Sequence, residues 1–265
     1  MTKQKAYEKK HRFHHYLVHM IRILILLLFL FLWEFCSNRG IIDSFFFSSP
    51  SRIIQCIKEL YETNHLLSHV GITLAETLIS FFLVIFFSML IAMLLWYQST
   101  LSEVLDPYMV VLNSIPKSAM APLFIVWLGT GMNTIIVAGI SVAVFGAIIS
   151  LYTAFRQTDA EKLKLIQTLG GTKKDQLLRV VIPYNIPVIL GTMKVNIGLA
   201  LVGVIIGEFL AARKGLGYLI IYGSQVFKMS MVITSMFILC VISVVLYIIL
   251  QIIEHKYKKK GPLPL

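Results

Sequence analysis

Six long apolar stretches divide this chain of 265 residues. A helix needs roughly 20 residues to cross the ~30 Å hydrocarbon core of a bilayer. Backbone groups find no water to bond to in lipid, so each such stretch must be helical. The sequence therefore predicts an all-α membrane protein with six transmembrane helices. The stretches are Tyr16–Cys36, Ile72–Tyr97, Tyr108–Leu128, Met132–Phe155, Tyr184–Ala212 and Met229–Ile253.

The composition agrees with a membrane protein. Hydrophobic residues make up 57% of the chain and charged residues only 14%, whereas soluble domains have about 25% charged residues. The formal net charge of +11 is compatible with binding nucleic acid or anionic lipid. The placement of the charges indicates topology instead, so we expect contact with membrane lipid and none with nucleic acid.

Basic residues are concentrated on one side of the predicted membrane. Six spans place both termini on the same side, where 16 Lys and Arg residues lie, against 6 on the other side. The positive-inside rule therefore predicts that both termini are cytoplasmic. The 16 are Lys3, Lys5, Lys9, Lys10, Arg12, Arg22, Arg156, Lys162, Lys164, Lys173, Lys174, Arg179, Lys256, Lys258, Lys259 and Lys260; the 6 are Arg39, Arg52, Lys58, Arg213, Lys214 and Lys228.

The residues before and after the first span allow several interpretations. The run is too long for a usual signal peptide and lacks a small-x-small cleavage site, so we interpret it as a membrane span. Four histidines (His11, His14, His15 and His19) have no accompanying carboxylate or cysteine, which favours an interfacial leader over a metal site. Cys36 and Cys56 both fall on the predicted outer side and could pair, but we expect unpaired thiols and no metal site. The segment "SSPSRIIQCIKELYE" predicts an outer amphipathic helix that begins at Pro50 and lies in the membrane interface.

Charged residues inside the spans are candidates for a translocation pathway. The third span contains "NSIPKSAMAP", with Asn113, Pro116 and Lys117 close together, and the fifth contains Lys194 and Glu208. A lysine at bilayer depth costs about 2.5–3.5 kcal/mol on insertion scales, so it normally faces a bundle interior or water. Structural pairing or snorkelling is the alternative for both lysines. Gly203 and Gly207 form a G-x-x-x-G pair, which fits intramolecular packing, a subunit interface or a pathway lining.

The loop at 156–183 is predicted to fold as two short amphipathic helices. "TDAEKLKLIQTLGG" begins with the capping residues Thr158 or Asp159, and Gly170 and Gly171 occupy the positions where a helix C-cap prefers glycine. "TKKDQLLRVVIP" restarts a helix with capping-box spacing, and Pro183 is predicted to end it. The apolar residues of the two helices exceed what the loop can bury by itself, so part of them should pack on the bundle and part should meet a partner. They are Leu163, Ile166, Leu169, Leu177, Leu178, Val181 and Ile182.

This loop resembles the EAA loop of permease subunits from bacterial ABC importers. That pattern is Glu-Ala-Ala, three residues, Gly, nine residues, Ile, one residue and Leu-Pro; Gly170, Val180, Ile182 and Pro183 match its later positions. The Glu-Ala-Ala positions are Lys164, Leu165 and Ile166 here. The departure at Lys164 implies a partner surface of opposite charge. "IPKSAMAPLFIVWLGTG" and "GEFLAARKGLGYLI" are similar to the subgroup that imports nitrate, sulfonates, taurine and related small solutes.

The resemblance implies a type I ABC importer permease fold in the bacterial inner membrane. It implies a homodimer, two ATP-binding subunits and an extracytoplasmic solute-binding protein. Its organisation would be a basic leader at 1–15, a first helix at 16–36, an outer loop at 37–71, a permease core at 72–255 that includes the coupling loop 156–183, and a tail at 256–265. The residues expected to couple to the ATPase are Leu163, Lys164, Ile166, Leu169, Gly170, Gly171, Lys173, Gln176 and Pro183.

The chain itself lacks the sequence of an ATP site. No G-x-x-x-x-G-K-[ST] phosphate-binding loop and no catalytic constellation occur in it. We therefore expect no enzyme activity and no cofactor, with ATP hydrolysis in a separate subunit. The alternative is a stand-alone ion channel or proton-coupled carrier, in which Lys117, Lys194 and Glu208 would form a charge relay.

Overall fold

The computed structural model describes the backbone of residues 3–63 and 65–259, and the side chains of residues 17, 18, 20–63 and 65–257. All regular elements in these ranges are helices, as predicted. The side chains of the four leader histidines lie outside the described residues. Among the side chains that are described, no cluster of potential metal ligands occurs. In chain order the helices are α1 (Lys3–Asn38), α2 (Ser44–Phe47), α3 (Pro50–Thr63), α4 (Leu66–Tyr97), α5 (Ser99–Ser114), α6 (Lys117–Leu128), α7 (Met132–Arg156), α8 (Ala160–Thr168), α9 (Lys173–Gln176), α10 (Ile182–Ala211), α11 (Leu216–Gln225) and α12 (Met229–Lys259).

The prediction of six spans is confirmed, with one modification. Among the residues that the structure describes, five helices are long and apolar enough to cross a membrane, and one bent helix pair passes the same test, either as a broken sixth span or as a re-entrant segment. The predicted third span is this pair: α5 and α6 meet at an angle of 94°. Pro116 has no N–H to donate to the preceding turn, so the helix breaks where the sequence places that proline.

The chain divides into two compact units. One comprises residues 1–64 and 223–234, and the other comprises residues 65–222 and 235–265. In the smaller unit, Glu34 of α1 accepts hydrogen bonds from Ser51 N–H at 3.0 Å and Ser51 Oγ at 2.8 Å, and thereby caps α3. The expected start of α3 at Pro50 is confirmed. Cys36, Cys56 and Cys240 are free thiols, as expected, and burial raises the pKa of the Cys56 thiol.

In the larger unit, α4, α7 and α10 form the central helix packing. Gly203 and Gly207 of α10 face α7 directly: a Cβ on Gly203 would come within 2.7 Å of Gly139 Cα, and one on Gly207 within 2.8 Å of Ile135 Cα. The G-x-x-x-G pair therefore serves intramolecular packing. Because both contacts involve backbone atoms, the two helices approach as closely as glycine alone allows.

The prediction that Pro183 ends a helix is wrong. The chain continues through a π-helical segment at Leu177–Val181 into α10, so that one helical run extends from Lys173 to Ala211. A π turn widens the helix by one residue and interrupts the regular i→i−4 bonding. This interruption lies where the ring of Pro183 would otherwise clash with the preceding turn.

Candidate functional site

The segment between α7 and α10 folds as an elbow, which consists of α8, the turn at Gly170 and Gly171, α9 and the π-helical segment that ends at Val181. Asp159 caps α8 by accepting a hydrogen bond from Glu161 N–H at 2.9 Å. At the other end, Gly171 N–H donates to Ile166 O at 2.9 Å and Gly170 N–H to Gln167 O at 3.0 Å. These two bonds form a Schellman motif, which requires a left-handed residue. Gly170 provides it, with φ of 81°.

The second helix of the elbow is capped as the sequence predicts. Thr172 and Asp175 form a reciprocal capping box at the start of α9. Arg179 lies 3.4 Å from Asp175 and adds an exposed ion pair, of the kind that contributes at most ~1 kcal/mol. The end of α8 and the start of α9 therefore both have defined backbone geometry.

One face of the elbow packs on the bundle. Leu177 and Val181 are buried in a cluster with α4 and α7, and Leu163 packs against the same cluster. Gln176 Nε2 donates to Leu163 O at 2.8 Å, which joins the two helices. Buried Asn185 of α10 donates to Thr158 Oγ1 at 2.8 Å, which fixes the start of the segment. The elbow is thus attached to the bundle at both ends.

The opposite face of the elbow is apolar and exposed. Leu165, Leu169 and Leu178 have 58%, 75% and 51% of their surface accessible, and Lys164, which precedes Leu165 in the chain, is also exposed. The sequence stripe of Leu163, Ile166 and Leu169 identified only Leu169 of this face, because Ile166 is half-buried and Leu163 faces the bundle. Leu178 was predicted as part of the apolar face of the second helix. Leu165 was not predicted, although the spacing of Leu165 and Leu169 by four residues was a sufficient signal.

Lys173 ties the elbow to the end of α4. Its ammonium lies 5.4 Å from the ring of Tyr97 and 5.8 Å from the ring of Trp96. Such cation–π contacts contribute about 0.5–1 kcal/mol at exposed sites. Lys173, which was expected to couple to a partner, therefore also has a partner inside the chain.

The predicted pathway residues of the third span gather at the bend between α5 and α6. Lys117 Nζ donates to Leu112 O, a carbonyl in the last turn of α5, and lies 5.2 Å from the Phe145 ring. A Cβ on Gly146 would lie 3.5 Å from Asn113 Oδ1. Since Phe145 and Gly146 are near the middle of α7, the bend is opposite the middle of a spanning helix. Asn113 and Pro116 are exposed at this bend.

The two pathway candidates of the fifth span have partners within the chain. Lys194 forms an ion pair with Glu254 of α12, and its side chain is 19% exposed. Glu208 is 1% exposed. It accepts hydrogen bonds from Thr73 Oγ1 at 2.6 Å and from Gly217 N–H at 2.5 Å. The structure therefore brings neither residue together with the bend.

The G-L-G sequence at the start of α11 (Gly215, Leu216 and Gly217) surrounds the side chain of Glu208. A Cβ on Gly217 would come within 2.8 Å of Glu208 Oε2, and one on Gly215 would overlap the same carboxyl group. Gly215 also has φ of 120°, which L residues with side chains rarely adopt. The two glycines are thus explained by the carboxylate that they surround.

Comparison with known proteins agrees with this architecture. Residues 84–259 match the family of binding-protein-dependent transport system inner membrane components. A probable ABC transporter permease protein of Haemophilus influenzae is 28% identical over 236 residues, covering 89% of this chain and 95% of the relative. The formylaminopyrimidine transport permease ThiX of Halalkalibacterium halodurans is 28% identical, covering 74% and 77%. The putative aliphatic sulfonates permease SsuC of Bacillus subtilis is 24% identical, covering 86% and 83%.

A solved structure shows the same fold. A chain of the inward-facing MetNI methionine ABC transporter superposes with a TM-score of 0.62 at 20% identity, covering 74% of this chain and 95% of that chain. The helix packing and the membrane spans thus define a type I importer permease. The chain belongs to the family of binding-protein-dependent transport system inner membrane components and is an ABC importer permease with several membrane-spanning helices.

Proposed function

We propose that this chain forms the translocation pathway of an ATP-driven importer for a small solute, and that its 156–183 segment is the coupling element for a separate ATP-binding subunit. Two copies of the permease, two ATP-binding subunits and an extracytoplasmic solute-binding protein would make up the importer. ATP binding would draw the ATPase pair together, and the elbow would carry that movement into α10. The chain would reside in a bacterial cytoplasmic membrane with both termini in the cytoplasm.

The observation that carries the proposal is the exposed apolar face of the elbow. Leu165 and Leu169 lie four residues apart on α8, and Leu178 follows on the next helix. Three exposed leucines on a segment whose ends are fixed by buried hydrogen bonds fit a helix-in-groove contact. Exposed Lys164 beside them favours an acidic groove on the partner, in place of the contact made by the family's glutamate.

A charge placed in this contact should uncouple the importer. In proteoliposomes that contain the permease and its ATP-binding subunit, we expect Leu169→Asp to reduce solute uptake at least about tenfold, because a desolvated, unpaired carboxylate costs several kcal/mol. The ATPase stimulation by loaded binding protein should fall in parallel. Gln167→Asp is the matched control, since it adds the same charge on the opposite side of α8 and should leave uptake near the wild-type rate. Equal uptake by Leu169→Asp and wild type would contradict the coupling role.

The proposed orientation can be tested with single cysteines. We place one at Glu62 in α3 and one at Lys173 in the elbow, both exposed, in a chain without its native cysteines. An impermeant maleimide added to intact cells should label position 62 and not position 173, because the positive-inside rule puts the elbow in the cytoplasm. Labelling of position 173 alone would reverse the proposed topology.

The bend between α5 and α6 is the proposed contact point for the solute. Broken helices at mid-membrane depth expose backbone groups and a helix N-terminus to a substrate path, and Asn113, Pro116 and Lys117 lie there. The solute would be small, in the range that the relatives' names indicate, such as a sulfonate or a pyrimidine derivative. In this proposal Lys194 and Glu208 support the pathway helix α10 through their intramolecular partners.

A further inference from the structure

Four backbone N–H groups at the start of α11 are all bonded by side chains of α4 and α10. Gly215 N–H donates to His69 Nδ1 at 3.0 Å, Leu216 N–H to Thr73 Oγ1 at 2.9 Å and Gly217 N–H to Glu208 Oε2 at 2.5 Å. Tyr218 N–H also bonds the Glu208 carboxyl group. A helix leaves these first donors without partners of its own, so α11 depends on three side chains from two other helices for its capping.

A second buried carboxyl group completes this cap. Glu76 of α4 is 3% exposed and forms a hydrogen bond with Glu208. A hydrogen bond between two carboxyl groups contains one proton, because two carboxylates have only acceptors. No lysine or arginine forms an ion pair with either group among the residues that the structure describes. The pair therefore has to hold a proton to avoid two uncompensated buried charges.

The bonding pattern assigns that proton to Glu76. Glu208 already accepts bonds from Thr73, Gly217 and Tyr218, all of which favour its charged form. Glu76 Oε2 has no hydrogen-bond partner, which is far less costly for the carbonyl of a neutral carboxyl group than for an anion. Glu208 is thus supplied with hydrogen-bond donors, whereas Glu76 is not.

We propose that Glu76 and Glu208 form a proton-sharing positioning site for α11, in which Glu208 is the anionic cap and Glu76 is the neutral donor that holds it. Thr73 links the two halves, since it accepts from Leu216 N–H and donates to Glu208 Oε1. The site fastens the start of α11 to α4 and α10 together, the two helices that also pack on α7. That this fastening matters for transport rests on the proposed function.

Three other charged or titratable groups lie near the pair. His69 offers Nδ1 to Gly215 N–H and its ring stacks on that of Tyr218 at 6.1 Å. Arg213 and Lys214 are exposed in the loop before α11. The part of α7 packed here, around Ile135 and Ala138, contributes no titratable group.

Hydrogen exchange of the 215–222 peptide tests the site without relying on transport. The full-length permease is placed in lipid nanodiscs, and exchange is corrected for its intrinsic pH dependence. We expect Glu208→Gln to reduce the protection of this peptide roughly tenfold or more, because a charged acceptor is lost. Glu76→Gln should retain protection, since its amide still donates a hydrogen bond to Glu208. Glu103→Gln, an exposed carboxyl on α5, should match wild type.

Uptake by the reconstituted importer is the second readout. We expect Glu76→Gln to transport near the wild-type rate and Glu208→Gln to be strongly impaired. If Glu76→Gln lowers protection as much as Glu208→Gln, the proton-sharing site is overturned even when transport is normal. If the exchange pattern holds but the wild-type chain does not transport with its ATP-binding subunit, the site stands and the proposed function fails.

Discussion

Gly170→Val is expected to abolish most ATP-driven uptake while the chain still inserts and assembles. The φ of 81° at Gly170 belongs to the left-handed region, which costs an L residue about 1–2 kcal/mol and a β-branched residue more. No atom lies within 4 Å of the position that a Cβ would take, so the effect is conformational and involves no steric overlap. A strain of 1–2 kcal/mol changes the ratio of native to distorted elbow conformations by roughly 5- to 30-fold.

Two different replacements of Gly170 distinguish the effect of backbone strain from the effect of losing glycine itself. Asn tolerates the left-handed conformation, so Gly170→Asn should retain at least half of the wild-type uptake, whereas Gly170→Val should fall at least about fivefold. Uptake in proteoliposomes and co-purification of the ATP-binding subunit are measured together. Equal activity of the two variants would show that the elbow geometry does not matter for coupling.

Gly203→Val is expected to prevent folding of the core. A Cβ at this position would come within 2.7 Å of Gly139 Cα and 2.8 Å of Ala138 O, and both contacts are with backbone that cannot rotate away. Overpacking a well-filled core costs about 1–3 kcal/mol even when side chains can adjust. Here α7 and α10 would have to separate, so we expect a loss of monodisperse protein in detergent by size-exclusion chromatography.

Gly198→Val on the same helix is the matched control. No atom lies within 4 Å of its Cβ position, so the same change in helix propensity and volume occurs without overlap. We expect Gly198→Val to be obtained in wild-type yield with a melting temperature within a few degrees of wild type. A similar loss of yield in both variants would show that valine itself destabilises the helix. It would contradict the explanation that close packing of α10 on α7 requires glycine at position 203.

Much of the fold follows from the sequence because apolar length and proline position are local signals. The membrane spans, the start of α3 at Pro50, the caps of α8 and α9, and the left-handed Gly170 were all predicted and are present. The continuation past Pro183 was not, because a proline normally ends a helix and the π turn that accommodates it depends on backbone bonding with no composition of its own.

The surroundings of charged residues were harder to predict. Glu76 lies near the outer end of the predicted second span, a position that favours the membrane interface, and is instead buried against Glu208, 132 positions away in the chain. Lys194 forms its ion pair with Glu254, 60 positions away. Helical periodicity identifies which face a residue occupies but not which distant side chain meets it. The pathway and coupling residues therefore remain proposals that rest on the geometry of the bend and the elbow.

The π segment at Leu177–Val181 also determines how far the elbow is rotated about the axis of α10. Each residue of an α-helix turns the chain by ~100°, so the one extra residue of a π turn fixes the rotation of the elbow relative to α10. A homologue with one residue fewer at this place would regain a regular helix, but the leucine face of its elbow would point about a quarter-turn away. An otherwise harmless deletion would thus leave every span intact and aim the leucine face of the elbow in the wrong direction. The length of this short segment is therefore as much a part of the coupling element as the leucines themselves.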